Sequence, residues 1–483
     1  MTRKTVHEHI DAHLSEHIER IREYIRQPSI SQTGEGIREG VELLAKYYRD
    51  LGCSEVEIVE TDGHPGVFAY YDAGAPRTIV NYAMYDVQPA DPAEWTHPPF
   101  EATIAPAGPH PKAVYGRGAW FTKGPYRAFL NSLESIIAVE GTLPVNVYFI
   151  AEGEEEIASP NFAQIAERYR DRLSKADAAL TLGGAQDASG RVSMFLGNKG
   201  FVYFDLVSSA DGEGHGPLGA PVHDSLQGIV GTPAWRLAGA LSTLVDGVSG
   251  EVLIKDFTEN VRALSDADDE LLKRLHEQLS AGEFSRGFPN LGGDGRINGF
   301  ADGLGEMDAL RRYTATPTFN LNGVRGGYTG PGTVNFAVPT ELIATIDCRL
   351  VPDMEPDEFL EKLRNHLDSH GYQDIEIRTR SQYTWAKTDA DEDVVRACVR
   401  AYEDMGAEVL VWPSKGTSGP WWVLNRLLGL PTVKEGGLGH GGGFHAPDEF
   451  FVLESDGTVA GLAECEKSHV DILYSFGNYP NDY

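Results

Sequence analysis

Between residues 66 and 182 short β-rich apolar runs (GVFAYYDA, RTIVNYAMY, LPVNVYFIAE, ADAALTL) alternate with helical stretches at 123–140 and 160–173. That alternation is the pattern of an α/β layered domain, and it constrains the chain more than any single residue does. Two amphipathic helices precede it. Ile10, Leu14, Ile18, Ile21 and Ile25 fall at helical spacing, and GIREGVELLAKYYRDLG is a second such stretch closed by Gly. From FVYFDLVSSA onward the texture changes to a strand, a long helix over 233–245, a polar helical region over 256–281 and a Gly-rich stretch, GFPNLGGDGRINGFADGLGE. A strand (ELIATIDCRLV) and a helix (PDEFLEKLRNHL) complete that unit, and after SQYTWAKTDADEDVV the α/β texture returns. The sequence therefore predicts an α/β domain over 1–200 and 383–483, interrupted by an inserted α+β unit over 201–382.

A chain of 483 residues is too long for one ordinary core, which agrees with two domains. Forty-one basic residues against 72 acidic ones give a formal charge of −31, which opposes phosphate backbones and anionic lipid. Neither nucleic acid nor a membrane is an expected partner. No run of about eighteen apolar residues occurs. The start, MTRKTVHEHI, lacks the apolar core of a signal peptide, so the expectation is a cytoplasmic protein. Cys53, Cys348, Cys398 and Cys465 show neither metal spacing nor a disulfide framework, as in a reducing compartment.

Three stretches can carry chemistry. In YFIAEGEEEIAS an apolar strand runs into Glu154, Glu155 and Glu156. A glutamate run alone is usually a solvated face, but sites in open α/β sheets gather at the carboxyl ends of strands. NYAMYDVQPADPAEWTHPPF is a second strand ending at an acid, Asp86, which alone reads equally well as a turn cap. In GLGHGGGFHAPDEFF, His440 and His445 lie in a Gly-rich loop.

Taken together, these stretches resemble the M20 family of metallopeptidases, most closely its cytosolic dipeptidase branch. YDVQPADPAEWTHPPFEATI, YGRG with the following KGP, EGEEEIAS, GGYTGPG…VP, CRLVPDMEP and FHAPDEF stand in that family's order over nearly the whole chain. The resemblance implies a catalytic α/β domain interrupted by a lid that also dimerises. It also implies hydrolysis of a peptide or amide beside a free carboxylate, on two bridged zinc or manganese ions.

The implied ligand set is mostly replaced. The family's His-x-Asp is Met84-Tyr85-Asp86 here, its bridging Asp is Phe121, and a further metal-binding Asp falls at Gly183 or Gly184. Of the side chains that the resemblance places on the metals, Glu156 and His445 remain. Two ligands do not normally hold zinc, and a thioether is a poor substitute for imidazole, so no metal cofactor is expected. Phe121 and Met84 would fill the vacated volume with apolar atoms.

Glu155 matches the family's general base and is retained. Glu155, Glu156 and Asp86 crowded near His445 should share a proton and raise at least one pKa. By resemblance, Arg349 in CRLVP binds the substrate's carboxylate, a job that suits its planar fork. His215, in DGEGHGPLGAP, sits near the family's oxyanion-binding His, which reaches across the dimer. Ser418 falls near a substrate-contacting loop, and Phe336 replaces a polar Thr. The reading is an M20-like enzyme without its dinuclear centre. Catalysis falls to Glu155 and His445 with Glu156 and Asp86, acting on a small carboxylate-bearing peptide or amino-acid derivative. Hydrolysis, amide or lactam formation, elimination and isomerisation all remain open. A homodimer is expected. The alternatives are an inactive pseudoenzyme kept for binding or scaffolding, and a mononuclear metallohydrolase that recruits Asp86 or His440.

Overall fold

The structure is a computed structural model that describes residues 3–210, 216–280, 284, 288, 297, 299–328, 330 and 336–478. Two compact units emerge, one from Met1–Gly197, Lys387–Ser414 and Gly419–Tyr483, the other from Asn198–Ala386 and Lys415–Ser418.

The first unit is built on a mixed eight-stranded sheet. Its strands are β1 (Glu55–Val59), β2 (Gly66–Tyr71), β3 (Thr78–Met84), β4 (Asn146–Glu152), β5 (Ala178–Leu182), β6 (Val192–Phe195), β7 (Val409–Trp412) and β8 (Thr432–Gly436), in the spatial order β1-β2-β4-β3-β5-β8-β6-β7. The neighbours β4, β3, β5 and β8 run parallel. Strands covered on both faces read as near-continuous apolar runs, and β3 (TIVNYAM) is buried from Ile79 to Met84. Its one interior polar residue, Asn81, is satisfied: its Nδ2 donates to Leu180 O (3.0 Å) and its Oδ1 accepts from the Tyr126 hydroxyl (3.2 Å).

Helices Arg3–Arg26, Lys123–Glu140 and Leu462–Asn478 pack on one another. Buried between them, His17 Nδ1 meets Glu466 Oε2 at 2.6 Å and Asn131 Nδ2 donates to the other carboxylate oxygen. The expected helix over 160–173 is two, Phe162–Arg168 and Arg170–Leu173. The break falls at Tyr169, whose φ of −111° leaves the helical range while its ring stacks on Phe68 at 3.7 Å. A smaller antiparallel sheet joins Thr103–Ala107, His110–Tyr115, Gly441–Gly442 and Phe450–Glu454. It sets the loops after Tyr115 and before Phe450 side by side, with Gly116 N donating to Glu449 O (2.9 Å).

The second unit is a four-stranded antiparallel sheet in the order Thr318–Arg325, Glu341–Leu350, Gly200–Ser209, Glu376–Tyr383. Helices Pro233–Leu244 and Pro356–Ser369 cover it around a core that includes Phe204, Leu237, Ile346 and Leu363. In the polar region expected to be helical over 256–281, the helix begins only at Asp266. Among the described residues no helix is long and apolar enough to cross a membrane. The architecture is the mixed α/β class expected, with helices and sheets in both units.

Candidate functional site

Four parallel strands deliver their carboxyl ends to one edge of the large sheet, the place where open α/β sheets form sites. Tyr85 and Asp86 follow β3, residues 153–156 follow β4, Gly183 and Gly184 follow β5, and the loop carrying His440 and His445 follows β8.

The three consecutive glutamates diverge at once. Glu154 is buried and structural, its carboxylate accepting from His64 N (2.9 Å) and Asn161 Nδ2 (2.9 Å). Glu155 is half-buried in the site. Burial, then the charges of Glu156 and Asp86, hold its carboxyl well above the usual range, while Lys434 and His445 pull it back. Glu156 turns the other way: its Oε2 lies 3.0 Å from His445 Nε2 and accepts from Gln88 Nε2 (2.9 Å). That contact is the leading cause raising the His445 pKa, against desolvation. The contact thus stabilises the charged form of His445 relative to a free imidazole.

Asp86 is buried and its carboxylate is occupied by the backbone. Oδ1 accepts from Glu155 N (3.2 Å) and Oδ2 from Glu156 N (3.0 Å), which fixes the turn that carries both glutamates. Burial pushes its pKa up to about 7 even so. The sequence reading placed Asp86 among the catalytic groups; its observed contacts are those of a clamp on the turn. Glu152, at the end of β4, accepts from the Tyr82 and Ser159 hydroxyls (2.7 and 2.8 Å). Burial holds its carboxyl far above the usual range.

Aromatic rings stand opposite. The Phe121 ring meets His445 edge-on at 5.4 Å, and Phe444, half exposed, lies 6.1 Å from Phe121. The loop that carries Phe121 is held by Glu449, a buried carboxylate that accepts four hydrogen bonds. Oε1 takes Trp120 N (2.9 Å) and Phe121 N (2.8 Å); Oε2 takes Gly118 N (3.1 Å) and Arg117 Nη1 (2.9 Å). Sequence reasoning passed over Glu449 although it lies four residues past His445 inside FHAPDEF. A lone acid in a loop gives no sign that it will bind a neighbouring loop's backbone.

The donor set does not fit a dinuclear metal centre. Zinc takes three or four close N, O or S ligands. Among the described residues no group of three or more His, Cys, Asp or Glu side chains is placed to hold an ion. Glu156 and His445 contact each other, Asp86 is turned to backbone, Met84 is buried, and Phe121 offers no donor. Gly184 cannot regain an acid in this arrangement, because a Cβ there would lie 2.6 Å from the Trp120 indole. At Gly183 a Cβ would meet nothing nearer than Pro125 Cβ at 3.5 Å. His440 Nδ1 donates to Gln186 O (3.0 Å), and burial lowers its pKa.

The two other expected substrate residues are neighbours in the second unit. Arg349 Nη1 donates to Ser418 Oγ (2.9 Å), its Nη2 pairs with Asp347 Oδ2 (2.9 Å), and its guanidinium lies 5.4 Å from the Phe201 ring centroid. Phe336 is exposed. His215 lies outside the described residues.

Residues 82–464 match the profile of peptidase family M20/M25/M40. The chain is 26% identical over 375 residues to the Cys-Gly metallodipeptidase DUG1 of Candida albicans, covering 73% of this chain and 72% of that relative. The M20 family metallo-carboxypeptidase Sso-CP2 of Sulfolobus solfataricus superposes with a TM-score of 0.80 at 31% identity over 96% of this chain and 99% of the other. Human carnosine dipeptidase 1 gives 0.73 at 21% identity over 99% and 100%, a likeness of fold. With its strand ends, loops and sequence blocks all in this arrangement, the chain belongs to peptidase family M20/M25/M40.

Proposed function

We propose that this chain is an M20-scaffold enzyme that hydrolyses an amide bond in a small peptide or amino-acid derivative with a free carboxylate, using side-chain acids and bases in place of a dinuclear metal centre. The observation that carries the reading is the 3.0 Å Glu156–His445 contact, which engages the two remaining family ligands with each other. The dipeptidase and carboxypeptidase names of the relatives support amide hydrolysis over the other reactions the residues allow. Glu155 as carboxylate takes a proton from water while the water oxygen adds to the amide carbon. The carbonyl pair moves onto oxygen, and His445 in its protonated form, which Glu156 stabilises, gives its proton to the departing nitrogen as the C–N bond breaks. Arg349 takes the substrate's carboxylate, with Ser418 beside it. The second unit serves as lid and dimer contact, and the protein works in the cytoplasm.

The test is a screen of chelator-treated protein against dipeptides, N-acyl amino acids and cyclic amides. Turnover of one of these that survives chelation supports the reading. Turnover that appears only with added zinc or manganese returns the chain to the metallohydrolases, and no turnover at all favours a binding role.

A further inference from the structure

The carboxylates described at these strand ends are already engaged. Glu154 holds His64 N and Asn161, Asp86 holds Glu155 N and Glu156 N, and Glu156 meets His445 at 3.0 Å. Glu152 accepts from Tyr82 and Ser159, and Glu449 from the loop that carries Phe121. Glu155 is the proposed base, and an ammonium seated on it would occupy the lone pair that takes water's proton. A dipeptide brings such an ammonium, one carbon from its scissile carbonyl, because an α-amine keeps its proton up to about pH 8. Taken out of water without a counter-charge, that group is costly.

The surface beside His445 is aromatic instead. Phe121, Phe444 and His445 form a triangle of rings, with centroids 5.4 Å apart for Phe121 and His445, 5.6 Å for Phe444 and His445, and 6.1 Å for Phe121 and Phe444. Such spacings suit edge-to-face and tilted ring pairs. His445 takes a left-handed φ of 59°, in a turn where Ala446 N donates to Gly443 O (2.9 Å). That conformation is unfavourable for a residue other than glycine, and such outliers cluster at ligand sites. Phe444 is nevertheless 52% exposed. An apolar ring left half uncovered beside the proton donor is a seat for an apolar group of the substrate.

We propose that the site takes N-acyl amino acids whose acyl group is uncharged and aromatic, seated on Phe444 and Phe121, and discriminates against dipeptides with a free α-amine. The inference rests on the metal-independent hydrolysis proposed above and names its substrate class. The oxygen of water bonds to the acyl carbon, and the C–N pair stays on nitrogen with the proton from His445. The proton held by Glu155 returns to His445, leaving a carboxylic acid and an amino acid.

The probes are three ketomethylene isosteres, in which CH2 replaces the amide NH so that no turnover intervenes: those of 3-phenylpropanoyl-Ala, Phe-Ala and acetyl-Ala. The first two differ only in the α-amine, the first and third only in the benzyl group. Their affinities for the chelator-treated full chain are measured by calorimetry. At pH 7 the phenylpropanoyl probe should bind about tenfold or more tighter than the Phe-Ala probe. That gap should close to about threefold or less at pH 9, where the amine is neutral. Over the acetyl probe the preference should be about thirtyfold, the value of burying one phenyl ring. Phe444→Ala should cut this second preference about fivefold, and Phe444→Leu, which keeps an apolar surface, should restore most of it. The wild-type ratios carry the test if Phe444→Ala does not fold. Equal or tighter binding of the Phe-Ala probe at pH 7, a gap that persists at pH 9, or equal binding of the phenylpropanoyl and acetyl probes would each overturn the proposal. So would a preference unchanged in Phe444→Ala, or no binding of any probe at millimolar concentration. Metal-dependent turnover in the substrate screen would instead strike the hydrolysis reading, so the two failures are told apart.

Discussion

Glu154, Glu155 and Glu156 share one chemistry and have three fates, set by what each side chain meets: an asparagine and a backbone amide, the half-buried site, and an imidazole. Glu155→Gln keeps the shape and removes the proton acceptor, so turnover should fall by roughly a hundredfold or more. His445→Asn should fall comparably. Arg349→Lys should raise KM with a smaller change in kcat, because it loses the planar fork. Steady-state kinetics on the substrate found in the screen decide this, and near-normal turnover in both Glu155→Gln and His445→Asn would contradict the assignment. The sequence could mark the glutamate run as a strand terminus because its apolar strand is visible. It could not sort the three, since His64, Gln88 and His445 lie far off in the chain and Asn161, seven residues past Glu154, carries no local sign of the contact. Asp86 shows the same limit: a carboxylate beside a motif reads as chemistry, and only the fold reveals two backbone amides already bound to it.

At the scale of elements, the loop from Gly116 to Thr122 is held by Glu449 below and by the Trp120 indole wedged against Gly184 and Gly441. Gly184→Asp should destabilise the protein by about 1–3 kcal/mol through overpacking and a buried charge. Gly183→Asp should cost less, and Trp120→Ala should recover part of the Gly184→Asp loss. Thermal melts measure all three, and equal melting temperatures for Gly183→Asp and Gly184→Asp would contradict the wedge. The helix Leu462–Asn478 carries a second testable feature. His469 is wholly buried, donates from Nε2 to Gly183 O (2.7 Å) and packs edge-on against Phe129, with burial lowering its pKa to about 4. Its folded pKa lies below the unfolded value of about 6.5, so the unfolded chain takes up the proton first and stability is lost as pH falls from about 6.5 toward 4. Relative to His469→Gln, wild type should lose on the order of 2 kcal/mol between pH 7 and pH 5 in denaturant titrations. Parallel pH profiles would contradict it. Strand and helix positions were legible because their periods are local. The break at Tyr169 was not, because stacking on Phe68 overrides a helical pattern that the sequence alone would continue.

For the whole molecule, the α/β texture interrupted by a second texture was readable as two units because layer composition changes with architecture. The short segment Lys415–Ser418, which groups with the second unit and brings Ser418 to Arg349, was not, being too brief to carry a pattern. The second unit exposes Leu321 and Val324 on Thr318–Arg325, the edge strand of its sheet among the described residues, and an exposed apolar edge is a natural contact for a second copy. Sedimentation at micromolar concentration should therefore give a dimer, and Val324→Lys should shift it toward monomer; a wild-type monomer would contradict the expectation. The central claim is that an M20 scaffold has exchanged its metal centre for side-chain chemistry. The most direct test is elemental analysis of protein purified without chelator, coupled to turnover before and after chelation on the substrate identified in the screen. The account predicts far less than one zinc or manganese per chain and turnover unchanged by chelation. Stoichiometric metal, with activity lost on its removal and restored by the ion, would contradict it.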